Sequence, residues 1–174
     1  MFRLSFFLCL VPLVLFGAIG GFFYAYSVSV MQGLNNLSDS AAIHAMQELN
    51  RGTRNGVFLI TFLFTPILTV ICAAILYWRG NRLTGLLMLA ASGAYFAGSF
   101  LPTVSINVPM NHEIEALSPG ALTALEAATV WAEYSGNWTY WNTIRAITAL
   151  IALAFTGAAM YALSRDDRPA ESGF

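Results

Sequence analysis

Apolar residues fall in four long runs separated by short polar stretches, and the runs are continuous rather than alternating. They cover residues 4–31, 57–78, 83–104 and 144–163. Each meets the roughly 20 residues that a helix needs to cross the hydrocarbon of a bilayer. Barrel strands alternate and are about half as long. The pattern therefore predicts an all-α integral membrane protein: a four-helix transmembrane bundle with short helices in the two longer loops. Residues 1–164 are expected to form a single four-span membrane domain, and 165–174 a short polar tail. The first run continues through Phe22, Phe23, Tyr24 and Tyr26 well past the ~7–15 residues of a signal core, so it reads as a retained span.

Composition agrees. Of 174 residues 57% are hydrophobic and only 10% charged, against about 25% charged in soluble domains. All eight cations are arginine, and no basic stripe suggests nucleic acid as a partner. Membrane lipids are the expected surroundings; oligomeric state is not legible. Arg79 and Arg82 sit in a short turn, with Arg3, Arg165 and Arg168 on the same side of the bilayer. The positive-inside rule then gives an N-in, C-in topology, with a bacterial inner membrane as the expected host. Cys9 and Cys72 fall within spans, in the same half, as small apolar fillers. Gly17 and Gly21, four apart, predict a close helix contact.

In the first longer loop Ser38 or Asp39 can begin a helix whose Ile43, Met46, Gln47 and Asn50 share one face, with His44 exposed. In the second, Ser118-Pro119-Gly120-Ala121 resembles a helix start. A helix over 121–134, carrying Glu126, Trp131 and Glu133, should end at Gly136.

Chemistry concentrates between residues 105 and 145. Asn107 and Asn111 stand four apart, sharing a face if the third span stays helical past Pro109. Trp138, Asn142 and Arg145 at i, i+4 and i+7 share a face of the fourth helix. Ionisable groups at that depth are costly and mark pockets, pathways or packed polar cores. Two readings stand together. In one, Asn107, Asn111, Trp138, Trp141 and Trp131 line a pocket for a small apolar or aromatic molecule, with Arg145 and Asn142 as its polar centre and His112 as the nearby imidazole able to act as base. In the other, the tryptophans form an interfacial belt, Arg145 snorkels or pairs with Glu113, Glu115, Glu126 or Glu133, and the cluster serves helix packing in a protein that binds a lipid or partner. No metal-ligand spacing, phosphate loop or serine-nucleophile motif is present.

Several stretches together resemble the anthrone oxygenase-like family of small membrane proteins. They are Gly20-Gly21-Phe22-Phe23-Tyr24-Ala25-Tyr26-Ser27, Val30-Met31-Gln32-Gly33-Leu34, residues 45–51, Asn107-Val108-Pro109-Met110-Asn111 and residues 138–145. The resemblance implies four membrane helices and, in fungal members, oxidation of an anthrone to an anthraquinone with molecular oxygen and no known cofactor. It carries the shared polar and aromatic set onto Asn107, Asn111, Trp138, Asn142 and Arg145. Family members often place histidine after the last asparagine, where this chain has Thr143; that leaves His112 as the substitute.

Overall fold

The computed structural model describes residues 2–166. Of the expected tail, 165–174, Arg165 and Asp166 continue the last helix, and the rest lies outside the described residues. Helix α1 (Phe2–Ala25) runs through one wide π turn, Tyr26–Val30, into the short α2 (Met31–Leu34). After α3 (Asp39–Thr53) come α4 (Gly56–Trp78) and α5 (Arg82–Tyr95). Two further π turns, Phe96–Phe100 and Thr103–Asn107, lead from α5 into α6 (Val108–Glu115). A 3₁₀ turn at Pro119–Ala121 precedes α7 (Ala124–Asp166). No strand occurs among the described residues. Four helical stretches, Arg3–Leu34, Gly56–Trp78, Arg82–Glu115 and Ala124–Arg165, are long and apolar enough to cross a membrane. Their outward faces carry Phe7, Val14, Ile60, Phe64, Leu89 and Ile147 exposed. Such faces would be aggregation-prone in water and are at home in lipid.

The prolines account for much of the irregular winding. Proline lacks an N–H and its ring crowds the carbonyl four residues back. Pro102 looks back on Gly98 and Pro109 on Ser105, and each of these lies inside a π turn. There Leu101 N–H bonds the Phe96 carbonyl and Val108 N–H the Thr103 carbonyl, five residues back. Widening the turn relieves the clash and lets the helix continue past Pro109. In α4, Pro66 deprives the Phe62 carbonyl of its usual donor, and the buried Tyr95 hydroxyl donates to it instead at 3.1 Å. The Ser92 hydroxyl donates to the Pro66 carbonyl at 3.0 Å, a second tie between α4 and α5.

Three packed layers follow the bundle axis. At one end Cys9, Cys72, Leu76, Met88 and Leu163 pack together, both cysteines free and buried. This end holds the turn between α4 and α5, where Gly80 at φ +95° makes the reversal. The middle layer contains Phe16, Phe23, Phe62 and Tyr95 against Ala146, Ala149 and Ala152 of α7. Here the glycine seam of α1 differs from expectation. Gly17 and Gly20 face α7, and a Cβ at Gly20 would lie 3.5 Å from the Ala149 methyl, whereas Gly21 faces open space. Spacing of three, not four, matches the face that α7 covers. The third layer is a cap: Met31, Ile43, Met46, Ile114, Trp131, Tyr134 and Trp138 form a core beyond the middle layer. As the sequence implies, Ile43, Met46, Gln47 and Asn50 are the buried face of α3, and His44 is exposed.

A second expectation fails. The second loop has no separate helix ending at Gly136; α7 runs unbroken for 43 residues, about 64 Å at 1.5 Å per residue. A mid-helix glycine costs only about 1 kcal/mol relative to alanine, and buried Trp131, Tyr134, Ser135 and Trp138 hold the helix through that point. Its start also moves from Ala121 to Ala124. Thr123 and Glu126 form a reciprocal capping box: Glu126 Oε2 accepts from the Thr123 backbone N–H at 2.8 Å, and Glu126 N–H donates to Thr123 Oγ1 at 3.3 Å.

Candidate functional site

Between the cap and the middle layer lies a cavity of about 230 Å³. Its aromatic wall comes from Phe22, Phe23 and Tyr26 of the first span, Phe58 and Phe62 of α4, and Trp138 of α7. Its polar lining consists of Asn50, Thr103, Asn111, Asn142 and Arg145, with Thr53, Arg54 and His112 at the end nearest the cap. The rings touch one another: Phe58 stacks on Phe62 at 5.8 Å, Phe22 lies 4.8 Å from Phe58, and Tyr26 5.6 Å from Trp138.

Arg145 is 5% exposed, and no described carboxylate lies within ion-pair distance of it. Glu115 pairs with Arg54, Glu126 caps α7, and Glu113 and Glu133 line a separate groove with Trp141. The guanidinium donates from Nη2 to Asn142 Oδ1 at 2.8 Å and from Nη1 to Thr103 Oγ1 at 3.2 Å. It lies 4.5 Å from the centre of the Phe23 ring and 5.2 Å from that of Trp138. Desolvated cation–π contacts contribute about 2 kcal/mol or more, against an insertion cost of about 2.5–3.5 kcal/mol for a central arginine. Its Nε donor has no protein partner, although buried.

Asn142 is fully satisfied by protein. Its Nδ2 donates to the Phe23 carbonyl and to Ser27 Oγ, both at 2.7 Å, while its oxygen receives Arg145. It therefore ties α7 to the π turn of the first span and orients the guanidinium. Ser99, in the second π turn, donates to the Arg145 carbonyl at 2.8 Å. Gly98 beside it makes this approach possible, since a Cβ there would lie 2.2 Å from Thr148 Cγ2. Asn111 Oδ1 accepts from both the Tyr134 hydroxyl and Trp138 Nε1 at 2.9 Å, fixing the indole against the cavity.

The residues singled out in the sequence divide. Asn111, His112, Trp138, Asn142 and Arg145 meet at this cavity. Asn107 is 1% exposed, does not line it, and neither its amide oxygen nor nitrogen has a protein partner. Trp131 belongs to the cap core and donates to Asn35 Oδ1 at 3.0 Å. Trp141 lines the separate groove. Thr143 also faces elsewhere: its hydroxyl lies 3.0 Å from Ser27 Oγ, so position 143 reaches the cavity only through Ser27 and Asn142. Sequence reasoning missed Asn50, which is buried and lines the cavity, and the rings of α1 and α4. The signal for Asn50 was its place on the apolar face of α3; that for Phe23 and Tyr26 was a spacing of three in an aromatic run. Among the described residues no group of three His, Cys, Asp or Glu is placed to hold a metal ion.

Fold and cavity together define a class: a four-helix membrane protein enclosing an uncompensated guanidinium within an aromatic chamber. Residues 55–155, more than half of the chain, match the model of the family described as anthrone oxygenase, and the chain belongs to that family. The matched segment includes Asn107, Asn111, Trp138, Asn142 and Arg145, while the walls supplied by α1 and α3 lie outside it. No curated protein and no solved structure matches the chain.

Proposed function

We propose that the cavity binds a small aromatic molecule with an acidic CH₂ conjugated through its rings to a carbonyl oxygen, and that the protein oxidises it with molecular oxygen without a cofactor. The observation that carries this reading is the buried Arg145 guanidinium, paired to no described carboxylate and bordered by rings on two sides. An anionic oxygen is the partner such a group lacks, and guanidinium binds oxyanions well. Arg145 Nε, which no protein acceptor occupies, is a further donor on the same guanidinium.

His112, exposed at the end nearest the cap, is the base in this scheme. It takes a proton from the activated CH₂, and the carbanion's charge spreads onto the carbonyl oxygen beside Arg145. The carbanion passes electrons to O₂ and forms a C–O bond; protonation gives a hydroperoxide, which loses water to leave C=O. One CH₂ and one O₂ thus become one C=O and one H₂O. A donor preorganised toward developing charge contributes roughly 2.7–4 kcal/mol, or 10²–10³ in rate. Anthrone supplied to the purified protein should therefore be consumed with matching oxygen uptake, and Arg145→Gln should lower that rate by two to three orders of magnitude. Uptake no greater than with heat-inactivated protein would refute the reaction.

A second reading has its own support. Asn142 spends every hydrogen bond on α1 and Arg145, as expected of a packing device in a protein that binds a lipid or partner. Folded Arg145→Gln that no longer binds aromatic ligands favours the first reading; failure of that variant to fold favours the second. The arginine distribution supports an N-in, C-in orientation in a bacterial inner membrane, with the cap on the non-cytoplasmic side.

A further inference from the structure

The cavity has two borders of opposite character. Toward the cap stand Thr53, Arg54 and His112, and the ion pair between Arg54 and Glu115 ties the end of α3 to the end of α6 across this end. The lateral border lies between α4 and residues 103–108. It consists of Leu59, Leu63, Val104 and Val108, which line the cavity and are also 41%, 41%, 53% and 37% exposed. They sit on stretches long and apolar enough to cross a membrane, which makes hydrocarbon the natural surroundings of their exposed surface. Below them the Phe62 and Phe100 rings stack at 5.7 Å and close the gap. The packing of α4 is chiefly against α5 and α1, leaving this upper edge free of a tight helix seam.

Resting on the cavity reading above, we propose that the ligand enters and leaves sideways, from the lipid hydrocarbon, through the gap between Leu59 and Leu63 on α4 and Val104 and Val108 on the third span. The route selects a ligand class. It admits molecules that partition into the bilayer and holds back water-confined ones, because the border they would cross is bridged by Arg54 and Glu115. The size suits a fused-ring molecule: a cavity of about 150 Å³ holds benzene, and this one is about 230 Å³ and opens at its lateral border. Such a molecule passes between aliphatic side chains and turns its oxygen to Arg145 only on arrival. The ligand thus sheds its hydration in the membrane rather than at the site.

The test uses 2-naphthol, a two-ring phenol, with the full chain in phosphatidylcholine vesicles and energy transfer from tryptophan as the signal. Leu63→Trp and Val104→Trp should slow both association and dissociation at least tenfold, with the equilibrium affinity changing far less than either rate. The double variant Leu63→Ala/Val104→Ala should speed both, and it decides the matter if a tryptophan variant does not fold. Glu115→Gln, which breaks the same ion pair from outside the cavity lining, should leave the rates within twofold. Rates indifferent to the four-residue border, or accelerated mainly by Glu115→Gln, would overturn the lateral route while leaving the cavity reading intact. Failure of the wild-type chain to bind 2-naphthol would overturn the cavity reading, and this inference with it.

Discussion

The hydroxyl of Tyr95 stands in for a backbone donor that Pro66 cannot supply, and this substitution can be measured. In Tyr95→Phe the ring contacts with Phe16 and Phe62 remain, but the Phe62 carbonyl loses the bond it accepts at 3.1 Å. A buried acceptor left without a donor costs about 1–3 kcal/mol, and interhelical hydrogen bonds within membranes average about 0.6 kcal/mol with a maximum near 1.7. The expected loss is therefore about 1–2 kcal/mol. In a Pro66→Ala background the backbone N–H restored at that position reaches the Phe62 carbonyl along the helix. The same Tyr95→Phe change should then cost less than about 0.5 kcal/mol, because no acceptor is orphaned. Reversible unfolding in mixed micelles, titrated with SDS and followed by tryptophan fluorescence, gives all four corners of the cycle. Equal costs in the two backgrounds would refute the account of how α4 tolerates its proline.

Other consequences are as direct. Gly98→Ala places a methyl 2.6 Å from Thr148 Cβ, so the helices must part, at about 1–3 kcal/mol by SDS unfolding. Gln47→Leu removes the Nε2 donor to the Ile114 and Leu117 carbonyls at 2.8 and 3.0 Å. It should cost about 1–3 kcal/mol and speed amide exchange at residues 114–118 while the membrane layers stay protected. Arg54→Ala breaks a half-exposed ion pair, so its effect on stability should stay below about 1 kcal/mol and shrink further in high salt.

The spans were legible because crossing a bilayer demands apolar length, a property that lies wholly in the linear sequence. The joint face of Trp138, Asn142 and Arg145 was legible for a similar reason, since helical spacing alone fixes it. The continuity of α7 was not: Gly136 looks like a stop until Trp131 and Tyr134 are seen buried against α3 and α6. Asn107 was misjudged because the π turn that ends at it alters the winding just before α6, and only the pair of prolines hinted at that turn. The partnership of Asn142 with Phe23 and Ser27 was beyond reach, as it depends on which spans become neighbours. The groups that make the cavity cationic were thus readable, whereas the groups that enclose it were not.

Helix α7 contains no proline from its capping box to Arg165, and it carries both the cap's Trp131 and Tyr134 and the chamber's Trp138, Asn142 and Arg145. The helix winds without a break through Ser135-Gly136, where buried Trp131, Tyr134 and Trp138 hold it on both sides, so these side chains ride on one rod. Tilting the outer portion must swing the guanidinium with it, and an occupant that pulls on the guanidinium must be felt at the far tip. Whatever docks on the cap therefore has a mechanical handle on the chamber, without needing to touch it.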